Sequence, residues 1–265
     1  MSKFLNQVIW IAGASSGIGE GLVYAFIKEG ARVIASAPFE MELEKVKENC
    51  GDKKDHCEIV LLDMTKPGNF QSLTDKIVDE FGKIDILIHI AGISQRALVQ
   101  DTSMDTVRKI MEVNFFGAVA LTKTVLPVMQ KQGFGQIAAT SSIVGKFGFP
   151  LRSIYSASKH ALHGFFESLQ AENMENNIFV TILIPGRVNT GISFNALTGD
   201  GKPWGKKDAG QAGGISIEKA TKIILNGIKK KKKEVLIGGK ELMMVQIKRF
   251  FPRLYWRMVN KIDST

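Results

Sequence analysis

Short runs that are apolar almost throughout recur along the chain, and a longer stretch separates each from the next. This alternation constrains the fold more than any other feature. The runs cover residues 7–12, 32–36, 57–62, 84–90, 135–140, 178–184 and 234–237. A strand with one wet face alternates apolar and polar residues, whereas a strand covered on both faces does not. Between the runs, helical segments are expected over about 18–29, 40–48, 68–81, 104–132, 153–175 and 217–229. Strand and helix in alternation imply a parallel sheet with right-handed crossovers. Seven such strands with no break predict one doubly wound α/β domain over residues 1–239, with residues 240–265 as an extension. The 265 residues, 45% hydrophobic and 23% charged, suffice for one sizeable core.

The first run leads into Gly13-Ala14-Ser15-Ser16-Gly17-Ile18-Gly19 and then a helix. A phosphate-binding βα unit needs this order. Glycine admits backbone angles and close approaches that a Cβ blocks, and the helix N-terminus offers free N–H groups to an anion. Gly13, Ser15, Gly17, Ile18 and Gly19 are therefore candidate dinucleotide-binding residues, and the sheet is expected to be Rossmann-like. In such a sheet the end of the second strand reads the adenine ribose, an acid holding its hydroxyls and a base holding a 2′-phosphate. Here that end reads Ser36-Ala37-Pro38-Phe39 and carries neither charge.

Ser153-Ile154-Tyr155-Ser156-Ala157-Ser158-Lys159 opens a long helical stretch. Tyr155 and Lys159 are four residues apart and share one helix face. A tyrosine ordinarily titrates near ~10, and an adjacent ammonium favours its phenolate. Such a pair can deliver or remove a proton at a carbonyl or alcohol oxygen. Ser142, at the end of the fifth run, offers a hydroxyl to the same oxygen.

With these residues the chain resembles the short-chain dehydrogenase/reductase superfamily over nearly all its length to about Gly238. Gly13, Gly17 and Gly19 match the family's cofactor turn. Asp63, with Met64 beside it, matches its adenine-contacting acid, and Ala91-Gly92 the turn after its fourth strand. Asn114 in Val113-Asn114-Phe115-Phe116-Gly117 matches the helix asparagine of its proton relay. Ser142, Tyr155 and Lys159 match the catalytic set, and Pro185, Gly186, Val188 and Thr190 the stretch that holds the nicotinamide carboxamide. Lys146-Phe147-Gly148-Phe149-Pro150 and Val235-Leu236-Ile237-Gly238-Gly239-Lys240 further resemble the branch known as dehydrogenase/reductase member seven. The resemblance implies hydride transfer between a nicotinamide and a carbonyl or alcohol carbon, with NAD(P)(H) as cofactor. It implies Tyr155 as the general acid or base and Ser142 as the group positioning the reacting oxygen. Lys159 is implied to bind the nicotinamide ribose and tune Tyr155, and Asn114 to hold a water that links Lys159 to solvent. It also implies a homo-dimer or homo-tetramer.

Three positions depart from the family pattern. Ala12 and Ile90 stand where it usually has Thr and Asn, and Pro38-Phe39 where this branch commonly carries arginine. Losing both polar partners together leaves no buried group unpaired, so local repacking and looser cofactor binding are expected rather than loss of the fold. With Ser15 and Ser36 as the remaining hydroxyls, and Phe39 free to stack on adenine, a mild preference for NADP(H) over NAD(H) is expected. A competing reading is a non-catalytic dinucleotide-binding or membrane-associated scaffold. The intact Asn114, Ser142, Tyr155 and Lys159 argue against it.

Residues 189–216 hold seven glycines and little periodicity. Following the sixth strand, they are expected to form a mobile lid over a small carbonyl or alcohol substrate. The net charge of +9 is confined to residues 229–262, which hold eleven of the 35 basic residues and two of the 26 acidic ones. A neutral body argues against nucleic acid as a partner. Arg249, Arg253, Arg257 and Lys261 recur every four residues, with Phe250, Phe251, Leu254, Tyr255, Met258, Val259 and Ile262 beside them. That is a basic amphipathic helix, fit either to lie on an anionic membrane surface or to dock on its own domain or a partner subunit. The N-terminus shows no basic n-region or cleavage site, no apolar run reaches a membrane span, and Cys50 and Cys57 read as free thiols. A cytoplasmic protein, peripheral at a membrane through its C-terminal helix, is expected. His160 and His163 have no obvious acids or cysteines to match them, and no metal is expected. An apolar or lipid-like substrate suits Phe147 and Phe149.

Overall fold

The computed structural model describes residues 3–259 and 261. Among them, β1 (Val8–Ala12), β2 (Arg32–Ala37), β3 (Cys57–Leu61), β4 (Ile86–His89), β5 (Gly135–Thr140), β6 (Ile178–Pro185) and β7 (Glu234–Ile237) form one sheet in the order β3-β2-β1-β4-β5-β6-β7. Every neighbouring pair is parallel. The helices are α1 (Gly17–Lys28), α2 (Glu40–Glu48), α3 (Phe70–Phe81), α4 (Met104–Met111), α5 (Gly117–Gln132), α6 (Ser153–Glu172), α7 (Ala209–Ala212), α8 (Ile217–Lys229), α9 (Met243–Phe250) and α10 (Pro252–Val259). Ile262, the last residue of the expected amphipathic face, lies outside the described residues.

The central strands β1 and β4 are buried along their whole length because both faces are covered. Ile9 and Ile11 of β1 enter a core with Phe26 of α1, Leu43 of α2 and Ile224 of α8. Val8, Trp10 and Ala12 enter a second core with Phe70 of α3, Val125 of α5 and Phe166 of α6. The two-residue period of a strand thus sends alternate side chains into two separate cores. The sheet order reverses between β1 and β4. In doubly wound sheets ligands bind outside the strand C-termini at such a switch point.

The long helix expected over 104–132 is interrupted. Between α4 and α5 the chain takes a π-helical turn at Glu112–Phe116. A π-turn adds a residue per turn and commonly marks a functional position, and this one contains Asn114.

Ser36 occupies a different place from the one its candidate role requires. Its side chain turns into the sheet, where Oγ accepts a hydrogen bond of 2.7 Å from Trp10 Nε1, and both residues are fully buried. The hydroxyl is therefore not presented to the crevice. Ser36→Ala should strand a buried indole N–H and lower stability by about 1–3 kcal/mol. Urea unfolding of the two proteins measures this, and equal midpoints would show that the indole finds another partner.

Candidate active site

The crevice begins at Gly13, which leaves β1 with φ +100°. A Cβ there would lie 2.3 Å from Ala91 N, and one on Gly19 would lie 1.9 Å from Gly13 O. No side chain fits at either position. Main-chain bonds close the turn: Gly13 N and Ala14 N donate to Ser36 O at 2.7 and 3.0 Å, and Ile90 N and Ala91 N donate to Ala12 O, both at 2.8 Å. These bonds link the strand ends where the family's Thr and Asn are missing. Ala12 is buried and Ile90 packs against the core.

Helix α1 starts with Ser16 as its N-cap, which makes no side-chain capping bond. The first amide to reach back is Glu20 N, to Ser16 O at 3.3 Å. The amides of Gly17, Ile18 and Gly19 have no intrahelical acceptor and stand at the positive end of the helix dipole, as an anion-binding turn requires. Gly17 has φ +59°, and a Cβ on it would come 3.3 Å from the Thr190 methyl, so the loop after β6 overlies this turn. Ser15 is half-buried beside it. The residues present fit a dinucleotide pyrophosphate.

Asp63 accepts hydrogen bonds from Thr65 N (3.0 Å) and Thr65 Oγ1 (2.7 Å), which hold its carboxyl below the usual carboxylate range. Met64 is buried against Gly117. Phe39 is exposed at the start of α2.

The proton-transfer residues meet at the ends of β5 and β6 and the start of α6. Ser142 donates to Pro185 O at 3.3 Å and accepts from Val144 N at 3.4 Å. Burial raises the phenol's pKa, and the neighbouring Ser142 hydroxyl, then Arg96 and Arg152, oppose the rise. Lys159 Nζ donates to Thr140 O at 2.7 Å and stands 5.8 Å from the Tyr155 ring centroid. Burial pushes its amine down to about 7. Asn114 accepts from Ile93 N (2.8 Å) and donates to Ile93 O and Ser158 Oγ, both at 3.0 Å. A Cβ on Gly92 would come within 3.2 Å of both Asn114 Oδ1 and Lys159 Nζ, so this glycine keeps the space between them open. Gly186 is closed from behind by Glu241, whose Oε1 accepts from Arg187 N (2.8 Å) and Gly239 N (3.0 Å). Val188 is buried and pairs with Ile215.

Several contributors have no local sequence signal. Gln95 Oε1 accepts from Ile154 N (2.8 Å) and Tyr155 N (3.4 Å), capping the helix that carries Tyr155. Arg96 and Arg152 converge on Asp208, from 112 and 56 residues away in sequence. Residues 189–216 are accordingly anchored rather than structureless: Ser193, Ala196, Leu197 and Asp208 are buried, and α7 lies within the segment. His163 does have acids near it. Glu167 and Glu234 stand 3.5 and 3.7 Å from its Nδ1, and Lys146 pairs with Glu234. His89 bonds Thr122 Oγ1 at 2.9 Å, and burial pushes it down to about 3. His160 contacts Ser156 O at 2.8 Å.

A family model for short chain dehydrogenases matches residues 7–199, and the chain belongs to that family. It is a dehydrogenase/reductase acting on CH–OH and C=O groups. Its relatives include dehydrogenase/reductase SDR family member 7B of Rattus norvegicus, 40% identical over 96% of this chain and 80% of that protein. Human dehydrogenase/reductase SDR family member 7 is 38% identical over 99% of this chain and 79% of that protein. A short-chain dehydrogenase of Burkholderia cenocepacia, solved in complex with NADP, shares the fold at a TM-score of 0.79 and 24% identity, covering 97% of this chain and 98% of that one. One from Burkholderia phymatum in complex with NAD superposes at a TM-score of 0.84 and 21% identity, covering 100% and 99%.

Lys159 carries a sign that can be checked. The unfolded chain keeps its lysine proton up to about 10.5, whereas the folded chain releases it near about 7. Between these values unfolding takes up a proton, so the burial penalty is complete below about pH 7 and is relieved as pH rises. Relative to Lys159→Met, the parent should therefore gain stability from about pH 7 upward, read by urea unfolding across that range. A gap that does not change with pH would contradict the buried amine.

Proposed function

We propose that this chain is a carbonyl reductase or alcohol dehydrogenase that uses NAD(P)(H) and acts on an apolar or lipid-like substrate. The observation that carries this reading is the gathering of Ser142, Tyr155 and Lys159 at the end of the sheet that also bears the open N-terminus of α1. When bound, the nicotinamide supplies a hydride to a carbonyl carbon or takes one from an alcohol carbon. Gly13, Gly17, Ile18 and Gly19 hold its pyrophosphate, Asp63 and Met64 border the adenine, and Ala91, Gly92 and Lys159 line the nicotinamide ribose. Pro185, Gly186, Val188 and Thr190 hold the carboxamide. Ser142 Oγ donates to the substrate oxygen and fixes it next to the phenol. In reduction Tyr155 gives its proton to that oxygen as the carbon receives the hydride, and in oxidation the phenolate takes the proton back. Arg96 and Arg152 stabilise the phenolate. Asn114 holds a water connecting Lys159 to solvent.

Leu98, Val99 and Phe194 are exposed and belong to the two segments joined by the Arg96–Leu197 backbone pairing, which supports an apolar substrate. Tyr155→Phe should lower turnover of such a ketone by about 10²–10⁴-fold while leaving cofactor affinity unchanged. Turnover that survives the change, or failure of the parent to bind either cofactor, would favour the scaffold reading. With no charge at Ala37, Pro38 or Phe39 and Ser36 turned inward, Ser15 remains as a hydroxyl near a 2′-phosphate. A mild NADPH preference is the expected outcome of parallel NADH and NADPH fluorescence titrations, and a clear NADH preference contradicts it.

The described part of the C-terminal extension, residues 240–259, has two sides. Met244, Tyr255 and Val259 pack against Val144, Phe147 and Tyr155, and Tyr255 hydrogen-bonds Gly148 O. Phe250, Phe251, Leu254 and Trp256 face outward, with Lys248 4.7 Å from the Trp256 ring centroid and Arg249 5.5 Å from that of Phe250. Exposed aromatics interleaved with basic groups suit the headgroup region of an anionic membrane, and we assign a peripheral, cytoplasm-facing attachment to them. No described helix is long and apolar enough to cross a membrane. Trp256→Glu should abolish co-sedimentation with phosphatidylserine vesicles. If it instead splits a homo-dimer or homo-tetramer in sedimentation velocity, that face is a subunit interface.

A further inference from the structure

Beside Tyr155, three residues form a buried charged group. Arg96 comes from the loop after β4, Arg152 from the turn before α6, and Asp208 from segment 189–216. Asp208 accepts from Arg96 Nε at 3.3 and 3.1 Å, from Arg96 Nη2, and from Arg152 Nη2 at 2.9 Å. Arg96 and Asp208 are 5% and 7% exposed. Two guanidinium groups this deeply placed repel each other, and the carboxylate between them makes the arrangement tolerable. Burial and the neighbouring Arg96 together pull Arg152 down to about 10.

The same stretch of loop does two jobs. Gln95 caps the first turn of α6 through the amides of Ile154 and Tyr155. One residue on, Arg96 holds Asp208, and its Nη1 donates to Ser94 Oγ (2.9 Å) and Gln95 O (2.5 Å). The arginine that grips segment 189–216 therefore also braces the backbone of the capping glutamine. The main chain joins the same three pieces: Arg96 N donates to Leu197 O at 2.8 Å, Leu197 N to Ser94 O at 2.9 Å, and Ala97 N to Leu151 O at 3.2 Å. Leu151 has φ +62°, a left-handed conformation unfavourable for leucine. Such a conformation persists where its surroundings over-determine it.

We propose that Arg96 and Asp208 are positioning residues that make closure of segment 189–216 and orientation of Tyr155 a single event. With Asp208 in place, residues 94–96 are held and Gln95 fixes the start of α6. With Asp208 withdrawn, two uncompensated guanidinium groups part, the brace on Gln95 loosens and the segment opens for substrate exchange. The part concerning Tyr155 rests on its role as proton donor, whereas the latch itself does not.

The test uses the full chain. Lys202 precedes Pro203 and is not cut, whereas Lys206 and Lys207 are exposed within the segment and give trypsin its sites. Asp208→Asn keeps the shape and removes the charge. It should speed tryptic cleavage after these lysines by tenfold or more, with cleavage elsewhere unchanged, and Asp208→Glu should restore most of the protection. On the catalytic side, Asp208→Asn should lower kcat by tenfold or more with little change in the KM for cofactor. It should also move the acid limb of the alcohol-oxidation pH profile to lower pH, because Arg96 and Arg152 then face the phenol without their carboxylate. Unaltered cleavage overturns the latch. Faster cleavage with unaltered kcat and pH profile overturns the coupling to Tyr155. If Asp208→Asn does not fold, Arg152→Gln removes one of the two guanidinium groups and should speed the same cleavage about threefold, and no acceleration there overturns the latch as well. Cleavage needs no turnover, so a failure of the Tyr155 assignment would be seen separately.

Discussion

The ends of β1 and β4 approach so closely that a Cβ on Gly13 would lie 2.3 Å from the next strand's Ala91 N, and the geometry of the crevice follows from that approach. It allows Ile90 N and Ala91 N to share Ala12 O, and Gly13 N and Ala14 N to share Ser36 O. Those bonds fix where the chain turns into α1 and so where its open amides lie. They also carry the cross-strand connection without the polar side chains usual in the family. Because backbone geometry does the joining, apolar Ala12 and Ile90 are compatible with an intact turn.

Burial sets the electrostatics of the other half of the crevice. Tyr155 and Lys159 are both almost fully buried, which favours the neutral form of each and moves their pKa values apart, the phenol's up and the amine's down to about 7. The Ser142 hydroxyl and two arginines that only one carboxylate balances oppose the rise of the phenol's pKa. Lys159, drawn to Thr140 O, lies beside the phenol ring with its amine poised near neutrality. The C-terminal extension reaches this region as well, through Tyr255 on the Phe147 ring at 5.4 Å and Glu241 on the turn at Gly186.

Local patterns made much of this legible in the sequence. Apolar runs revealed the strands because the central strands are covered on both faces, and the glycine turn and the four-residue Tyr155–Lys159 spacing are each short-range patterns. Three things were not legible. The π-turn at Asn114, whose side chain bonds the Ile93 backbone, leaves the helical pattern of residues 104–132 unbroken in the sequence. Ser36 could face either the crevice or the core, and its partner Trp10 lies on another strand. Gln95, Arg96 and Asp208 are joined only by folding, and no spacing rule links residues 112 positions apart. The glycines of segment 189–216 suggested freedom, whereas its anchoring comes from Leu197 and Asp208, which carry no periodic signal.

The account holds that one edge of the sheet binds a nicotinamide dinucleotide and places its reactive ring against Ser142 and Tyr155. A crystal structure of the full chain grown with NADPH tests this most directly. The account predicts the pyrophosphate on the amides of Gly17, Ile18 and Gly19, with the nicotinamide leaving space for a carbonyl oxygen at about 3 Å from both hydroxyls. A dinucleotide bound elsewhere, or one whose nicotinamide points away from Tyr155, would contradict it.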